Sequence, residues 1–297
     1  MTDSLYHDRS PTHLIDTPPG EHVVVIGGGT MGAGIAASLL GVQARVSLIE
    51  SSPEFVDGAF ERVSDSLTRM ARRDDLLDVP ATLQRFHVGI DHPIDEVALV
   101  IEAVPEELAL KQDIFRSAAT HYDNSVVFAS NTSSLSITSI ADGVPHPQRV
   151  VGMHFFNPVP VSSLVEVVVG THTAPATTDL AVAWTERLAK TPIVVKDSPG
   201  FASSRLGVAL GMEAIRMLQE GVASAEDIDA AMELGYRHPM GPLRLTDLIG
   251  LDVRLAIAEH LSAELGDRFD PPQLLRDLVA KGDLGKKSGR GFHDWSV

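Results

Sequence analysis

The sequence predicts an α/β fold: a mostly parallel, doubly wound sheet followed by an all-α segment. Three observations predict it. Short runs of β-branched and other apolar residues alternate with helix-patterned stretches through the first two-thirds of the chain. Those runs are apolar throughout rather than alternating, as expected of strands covered on both faces. After Asp197-Ser198-Pro199-Gly200 the strand runs stop and helical periodicity continues alone.

Strands are expected at 22–26, 45–49, 85–90, 97–102, 125–130, 149–155, 164–169 and 191–196, with helices near 31–41, 53–73, 106–121 and 175–190. In the helix at 53–73, Phe55, Ala59, Val63, Leu67 and Met70 make the core stripe. Beyond residue 200, Leu206, Leu210, Ala214 and Met217 share a helical face, and Gly221 is the expected C-cap. Ser224-Ala225-Glu226-Asp227 starts the next helix in the manner of a capping box. Two more helical segments complete the chain. The expected division is a leader at 1–20, one domain at 21–200 and a second at 201–297.

The composition narrows the function. A net charge of −16 opposes nucleic acid or an anionic membrane as the main partner, because both call for a basic surface. No apolar run reaches the ~18–20 residues that span a bilayer. The first twenty residues lack the apolar core of a signal peptide and read as a loose leader. With no cysteine there is no disulfide, no thiolate nucleophile and no Cys-ligated metal, and the cytoplasm is the expected compartment.

Four constellations carry chemistry. Gly27, Gly29 and Gly32 form G-x-G-x-x-G directly after a strand and at the start of a helix, with Thr30 and Met31 inside the motif. This arrangement gives a tight turn, close backbone approach to a pyrophosphate and a helix N-terminus facing the anion. Glu50 ends the next strand, where a carboxylate accepts from adenosine ribose hydroxyls and repels a 2′-phosphate, so the sequence points to NAD in a Rossmann-like domain. The plainer alternative is that the glycines only turn the chain. Second, Ser130-Asn131-Thr132-Ser133-Ser134 ends a strand, placing small polar groups at a carboxyl edge, where open α/β sheets bind ligands. The same residues also suit an N-cap loop. Third, His154 and Glu166 stand twelve residues apart in apolar strand text. Neighbouring strands would bring them together, the carboxylate fixing the tautomer of an imidazole that acts as a base while a hydroxyl-bearing carbon loses hydride. The alternative is a core histidine beside a solvated glutamate. Fourth, Arg62, Ser66, Arg69 and Arg73 make a basic stripe along one helix, suited to a phosphorylated ligand or simply to solvent.

Together these phrases resemble the L-3-hydroxyacyl-CoA dehydrogenase family, including 3-hydroxybutyryl-CoA dehydrogenases. The resemblance rests on GGGTMGAGIA, VIEAVPEELALKQDIF, FASNTSSLSITSIA, GMHFFNPVPVSSLVEVV, DSPGF, the segment 212–252 and LGKKSGRGF, and covers residues 20–293. It implies His154 as catalytic base, Glu166 as its partner, and Ser133 and Asn157 near the reacting oxygen. It implies Glu106 and Lys111 near the nicotinamide end of NAD, and Ser66 and Arg73 toward CoA, to which the basic stripe adds Arg69. It also implies a helical domain that pairs two subunits, and a short-chain L-3-hydroxyacyl-CoA substrate oxidised to the 3-ketoacyl-CoA.

Three positions depart from the family pattern. Ser204 stands where the family often has Asn at the substrate site. Glu50 replaces a commoner Asp. The segment 72–86 is short for the family's hairpin and carries acids at 74, 75 and 78. The short hairpin and Ser204 leave room for a rival reading, a dehydrogenase of a free 3-hydroxy acid such as L-gulonate or carnitine. A second rival is a non-catalytic NAD-binding protein of the crystallin kind.

Overall fold

The structure is a computed structural model that describes residues 21–93, 96–123 and 125–296. The expected leader at 1–20 lies outside the described residues. Among them the apolar runs become eight strands: β1 (His22–Ile26), β2 (Arg45–Ile49), β3 (Phe86–Gly89), β4 (Leu99–Glu102), β5 (Val127–Ser130), β6 (Val150–Phe155), β7 (Leu164–Val169) and β8 (Thr191–Lys196). They form one sheet in the order β3-β2-β1-β4-β5-β6-β7-β8. All neighbours are parallel except β6 and β7, which run antiparallel.

The helices of this part are α1 (Thr30–Gly41), α2 (Pro53–Ala71), α3 (Val79–Leu83), α4 (Leu108–His121), α5 (Ile137–Asp142) and α6 (Pro175–Arg187). The core is built from fully buried Val23, Val25, Ile35, Leu39, Leu48, Leu99, Ile101 and Val167, with Ala59, Val63 and Leu67 of α2. Burying each of the larger side chains is worth about 1.5–3 kcal/mol. Phe55 does not join them: it is 49% exposed. It sits in the first turn of α2, where the expected stripe runs past the core's edge.

The text 72–86, expected as an acidic hairpin, folds as a turn and the short α3. Asp74 Oδ1 accepts from the Leu76 N–H at 3.1 Å, and Asp78 caps α3 by accepting from the Ala81 N–H at 3.1 Å. Two of the three acids therefore serve local turns.

The chain separates into two compact units between Asp197 and Ser198. The second unit holds α7 (Ser203–Gln219), α8 (Ala225–Tyr236), α9 (Pro242–Ile249), α10 (Leu251–Leu265) and α11 (Gln273–Lys281). Three α-helices therefore follow α8 among the described residues, against the two expected. The end of α7 follows the expectation closely. Gly221 has φ +71°, its N–H donates to Leu218 O, and the Val222 N–H donates to Met217 O, a Schellman closure. Ser224 caps α8 by accepting from the Asp227 N–H at 3.1 Å.

The buried face of α7 differs from the one expected. Val208, Gly211, Met212, Ala214 and Ile215 are buried, whereas Leu206 is 71% exposed. The helix carries apolar residues on two sides, and periodicity alone does not say which side meets the core. Two buried aspartates then fix the C-terminal text. Asp247 accepts from the N–H groups of Phe292 and His293 and from Trp295 Nε1, each at 2.9 Å. Asp229 accepts from the Leu243 and Arg244 N–H groups and pairs with His293 Nε2 at 2.8 Å. Among the described residues, no helix is long and apolar enough to cross a membrane.

Candidate active site

The strand order reverses between β1 and β4, and the carboxyl ends of these strands carry the glycine loop and the Glu102–Glu106 segment. Such a reversal opens a crevice in doubly wound sheets. Gly27 sits there with φ +96°, its N–H donating to Ile49 O at 2.9 Å. A side chain at Gly32 would put its Cβ 1.8 Å from Gly27 O, so helix and turn meet only because both residues are glycine.

Gly29 differs from both. It is the N-cap of α1 in an extended conformation open to any residue, and a Cβ there would meet nothing within 4 Å. The protein itself does not demand glycine at this position. A bare backbone facing open space at a helix N-terminus is a cradle that fits a pyrophosphate. Thr30 opens α1 on the exposed side, and Met31 packs partly onto the core.

Glu50 follows β2 and turns back onto this loop, its Oε1 accepting from the Gly28 N–H at 3.0 Å. A Cβ at Gly28 would lie 2.5 Å from that oxygen. Gly28 is thus a site residue that the G-x-G-x-x-G spacing passes over.

On the other side of the crevice lies a chain of charges. Glu102, fully buried at the end of β4, pairs with Lys111 Nζ at 2.6 Å and accepts from Ser130 Oγ–H at 2.7 Å. Lys111 also reaches Glu106 Oε2 at 3.3 Å and Val104 O at 3.3 Å, so three acceptors surround an ammonium with three donors. Glu106 Oε1 accepts from Thr132 Oγ1–H at 2.7 Å, from the Ser133 N–H at 2.8 Å and from the Ser134 N–H at 3.1 Å. Burial pushes the Glu106 carboxyl up, but Thr132, Lys111 and Ser133 outweigh it and hold it below the usual carboxylate range. The cluster gathers Glu106, Lys111 and Ser133 as a unit. Glu102, Ser130 and Thr132 belong to it as well, and only the polarity of strand-end text hints at them.

His154 and Glu166 stand opposite one another in the antiparallel β6–β7 pair, with Nδ1 and Oε2 2.7 Å apart. Glu166 is fully buried and His154 nearly so. In an antiparallel pair, directly opposed residues place their side chains on the same face. The Phe156 ring leans on the imidazole at 4.5 Å. Asn131 ties this strand to the edge of β5, its Oδ1 accepting from the Phe155 N–H at 3.0 Å. Beyond β6 the chain makes a proline-rich loop, and Lys190 Nζ donates to the carbonyls of Val159 (2.6 Å) and Ser162 (2.5 Å) within it. Asn131, one of the polar strand-end residues picked out in the sequence, serves here as a positioning group, and Lys190 is a further one that sequence reading left out.

Asn157 opens the loop and is exposed. It lines a cleft of about 540 Å³ together with Thr30, Arg62, Ser66, Arg69, Arg73 and Asp74. The structure thus brings Arg62, Ser66 and Arg69 of α2, Arg73 in the turn just past its end, and Asn157 to one cavity, the helix stopping two residues short of the expected 53–73. Ser66 is buried in its wall, while Arg69 and Arg73 are exposed. Ser204 lies in the first turn of α7, in the second unit.

A dinucleotide loop, a carboxylate at the end of β2 and a paired histidine define the class as a nucleotide-dependent oxidoreductase. Comparison with known proteins gives the family. Residues 22–198 match the family model "3-hydroxyacyl-CoA dehydrogenase, NAD binding domain", and residues 200–295 match "3-hydroxyacyl-CoA dehydrogenase, C-terminal domain". A probable 3-hydroxybutyryl-CoA dehydrogenase of Bacillus subtilis is 41% identical, covering 93% of this chain and 97% of its own length. A 3-hydroxybutyryl-CoA dehydrogenase of Clostridioides difficile is 38% identical, covering 92% and 99%. The crystal structure of (S)-3-hydroxybutyryl-CoA dehydrogenase from Ralstonia eutropha superposes with a TM-score of 0.88 at 40% identity, covering 93% of this chain and 99% of that one. The chain belongs to the 3-hydroxyacyl-CoA dehydrogenase family. It is an oxidoreductase acting on CH–OH groups, and its cofactor is NAD.

Proposed function

We propose that the chain oxidises a short-chain L-3-hydroxyacyl-CoA, such as 3-hydroxybutyryl-CoA, to the 3-ketoacyl-CoA. The observation that carries the reading is the buried His154–Glu166 pair, with His154 near the carboxyl end of β6 in the sheet whose parallel strand β1 leads into the dinucleotide loop. His154 accepts the proton of the 3-hydroxyl as its carbon becomes a ketone. Glu166 holds Nδ1, so the ring's other nitrogen exchanges the proton, and its negative charge stabilises the imidazolium formed. General base catalysis of this kind contributes about 10²–10⁴-fold.

NAD, when bound, supplies the acceptor for the hydride. Its pyrophosphate is assigned to Gly27, Gly29, Thr30, Met31 and Gly32, and its adenosine ribose to Glu50. Glu106 takes the nicotinamide end, with Lys111 acting through it. Ser133 and Asn157 contact the reacting oxygen and steady the histidine. Ser66, Arg69 and Arg73 receive the phosphates of CoA, a local basic strip in a chain of net charge −16. Ser204 lines the acyl end. Two copies pair through the helical unit, and the enzyme works in the cytoplasm.

The test for the CoA assignment is the double variant Arg69→Ala/Arg73→Ala. The expected result is a KM for acetoacetyl-CoA raised at least about tenfold with kcat little changed, since uniform binding is what is lost. A KM that stays put, with free acetoacetate reduced as well as its CoA ester, would move the substrate to a free 3-hydroxy acid.

A further inference from the structure

Arg62 belongs to the basic stripe of α2 by spacing, yet its guanidinium is spent differently from those of Arg69 and Arg73. Its Nε–H donates to Gly28 O at 2.7 Å, and its Nη2 lies 4.0 Å from Glu50 Oε1. Glu50 takes the N–H of the same Gly28. One glycine therefore has its carbonyl held by an arginine and its amide held by a glutamate, and the two charges face each other across the turn. Arg62 stands over Gly58 one turn earlier in α2, where a Cβ would lie 3.2 Å from Nη1. The glycine leaves the space that the guanidinium fills. Along the helix, Arg62 and Arg69 are about 10 Å apart, and Arg73 lies in the turn beyond the helix end. The stripe thus has two ends, one at the dinucleotide loop and one farther along the cleft.

Among the described residues, the hydrogen bonds of Arg62 run from Nε alone, so both Nη groups keep their donors at a half-exposed position. Planar Nη donors beside a ribose-binding carboxylate are what a 2′-phosphate requires, because guanidinium binds phosphate through two parallel N–H bonds. The carboxylate works in the opposite direction, repelling a phosphate on the same ribose. We propose that Arg62 is a cofactor-selectivity residue: it is preset to take a 2′-phosphate, and the charge of Glu50 alone keeps the site for NAD. This inference rests on the reading that the Gly27–Gly32 loop holds the dinucleotide. Glu50→Gln removes the negative charge while keeping the size of the side chain, and it releases Arg62 from the one carboxylate within 4.0 Å of it among the described residues.

The experiment is a titration of the full chain with NADH and with NADPH, read by nicotinamide fluorescence without any substrate. Wild type, Glu50→Gln, Arg62→Ala and the double variant are compared. The expected result is NADPH binding at least about tenfold tighter in Glu50→Gln than in wild type, with the gain lost in Glu50→Gln/Arg62→Ala. The proposal is overturned if Glu50→Gln still binds NADH but gains nothing for NADPH. It is equally overturned if the double variant keeps the gain. A wild-type chain that binds neither coenzyme would overturn the dinucleotide reading, and this inference with it.

Discussion

At Gly29 the protein leaves space that it does not itself need, and that separates binding from stability. Gly29→Ala should leave the thermal midpoint unchanged or slightly raised, since the extended N-cap accepts alanine and the unfolded chain loses freedom. The same variant should weaken NADH binding, measured by fluorescence titration, because the methyl group occupies the cradle. Glu106 gives a prediction in pH. Its carboxyl is held low in the folded chain, against about 4.3 for an unperturbed glutamate. A depressed folded pKa adds stability that is fully present above the unfolded value and is lost as pH falls through the folded one. Glu106→Gln should therefore flatten the fall in stability below about pH 4.3, followed by denaturant unfolding across an acid series. His154, Glu166 and the three motif glycines were legible residue by residue, because strand text rarely spends ionisable groups and the loop has a fixed spacing. The Glu102–Lys111 pair was not legible. It joins a strand to a helix nine residues on, a contact that neither period 2 nor period 3.6 predicts.

Among the elements, the strands were the most legible, since a parallel sheet covered on both faces writes itself as apolar runs. Each expected strand is present, trimmed by up to two residues at its ends. The antiparallel turn from β6 into β7 was less legible, because nothing in the runs states direction. Yet that turn is what sets His154 opposite Glu166. The short α3 and α5 escaped reading because five or six residues give too little periodicity to register. The exposed Leu206 and Phe55 show the matching limit in long helices: a stripe can be apolar without facing the core. Within the second unit, the C-terminal text is fixed by Asp247, whose carboxylate takes three donors. Asp247→Ala leaves those N–H groups unpaired beside a cavity. It should destabilise this unit by at least about 2 kcal/mol, seen as a lower midpoint in thermal melts followed by circular dichroism.

At the scale of the whole molecule, a net charge of −16 surrounds a cleft whose wall carries Arg62, Arg69 and Arg73. A small anionic ligand fits that contrast better than a polyanion, which would meet the acidic surface first. The helical unit leaves Leu206, Leu234 and Tyr236 exposed at 71%, 84% and 76%. Exposed apolar residues of this size favour association. Sedimentation equilibrium should give twice the chain mass of 31.8 kDa, and a monomer at micromolar concentration would contradict the pairing. In the function proposed, the His154–Glu166 pair performs proton chemistry on a CoA ester with NAD as partner. The most direct measurement is NADH oxidation by the purified chain with acetoacetyl-CoA, run beside free acetoacetate and beside His154→Ala. This role for His154 predicts turnover of the ester, little with the free acid, and a loss of at least about 10²-fold in the variant with NADH binding intact. Equal turnover in wild type and His154→Ala would contradict it.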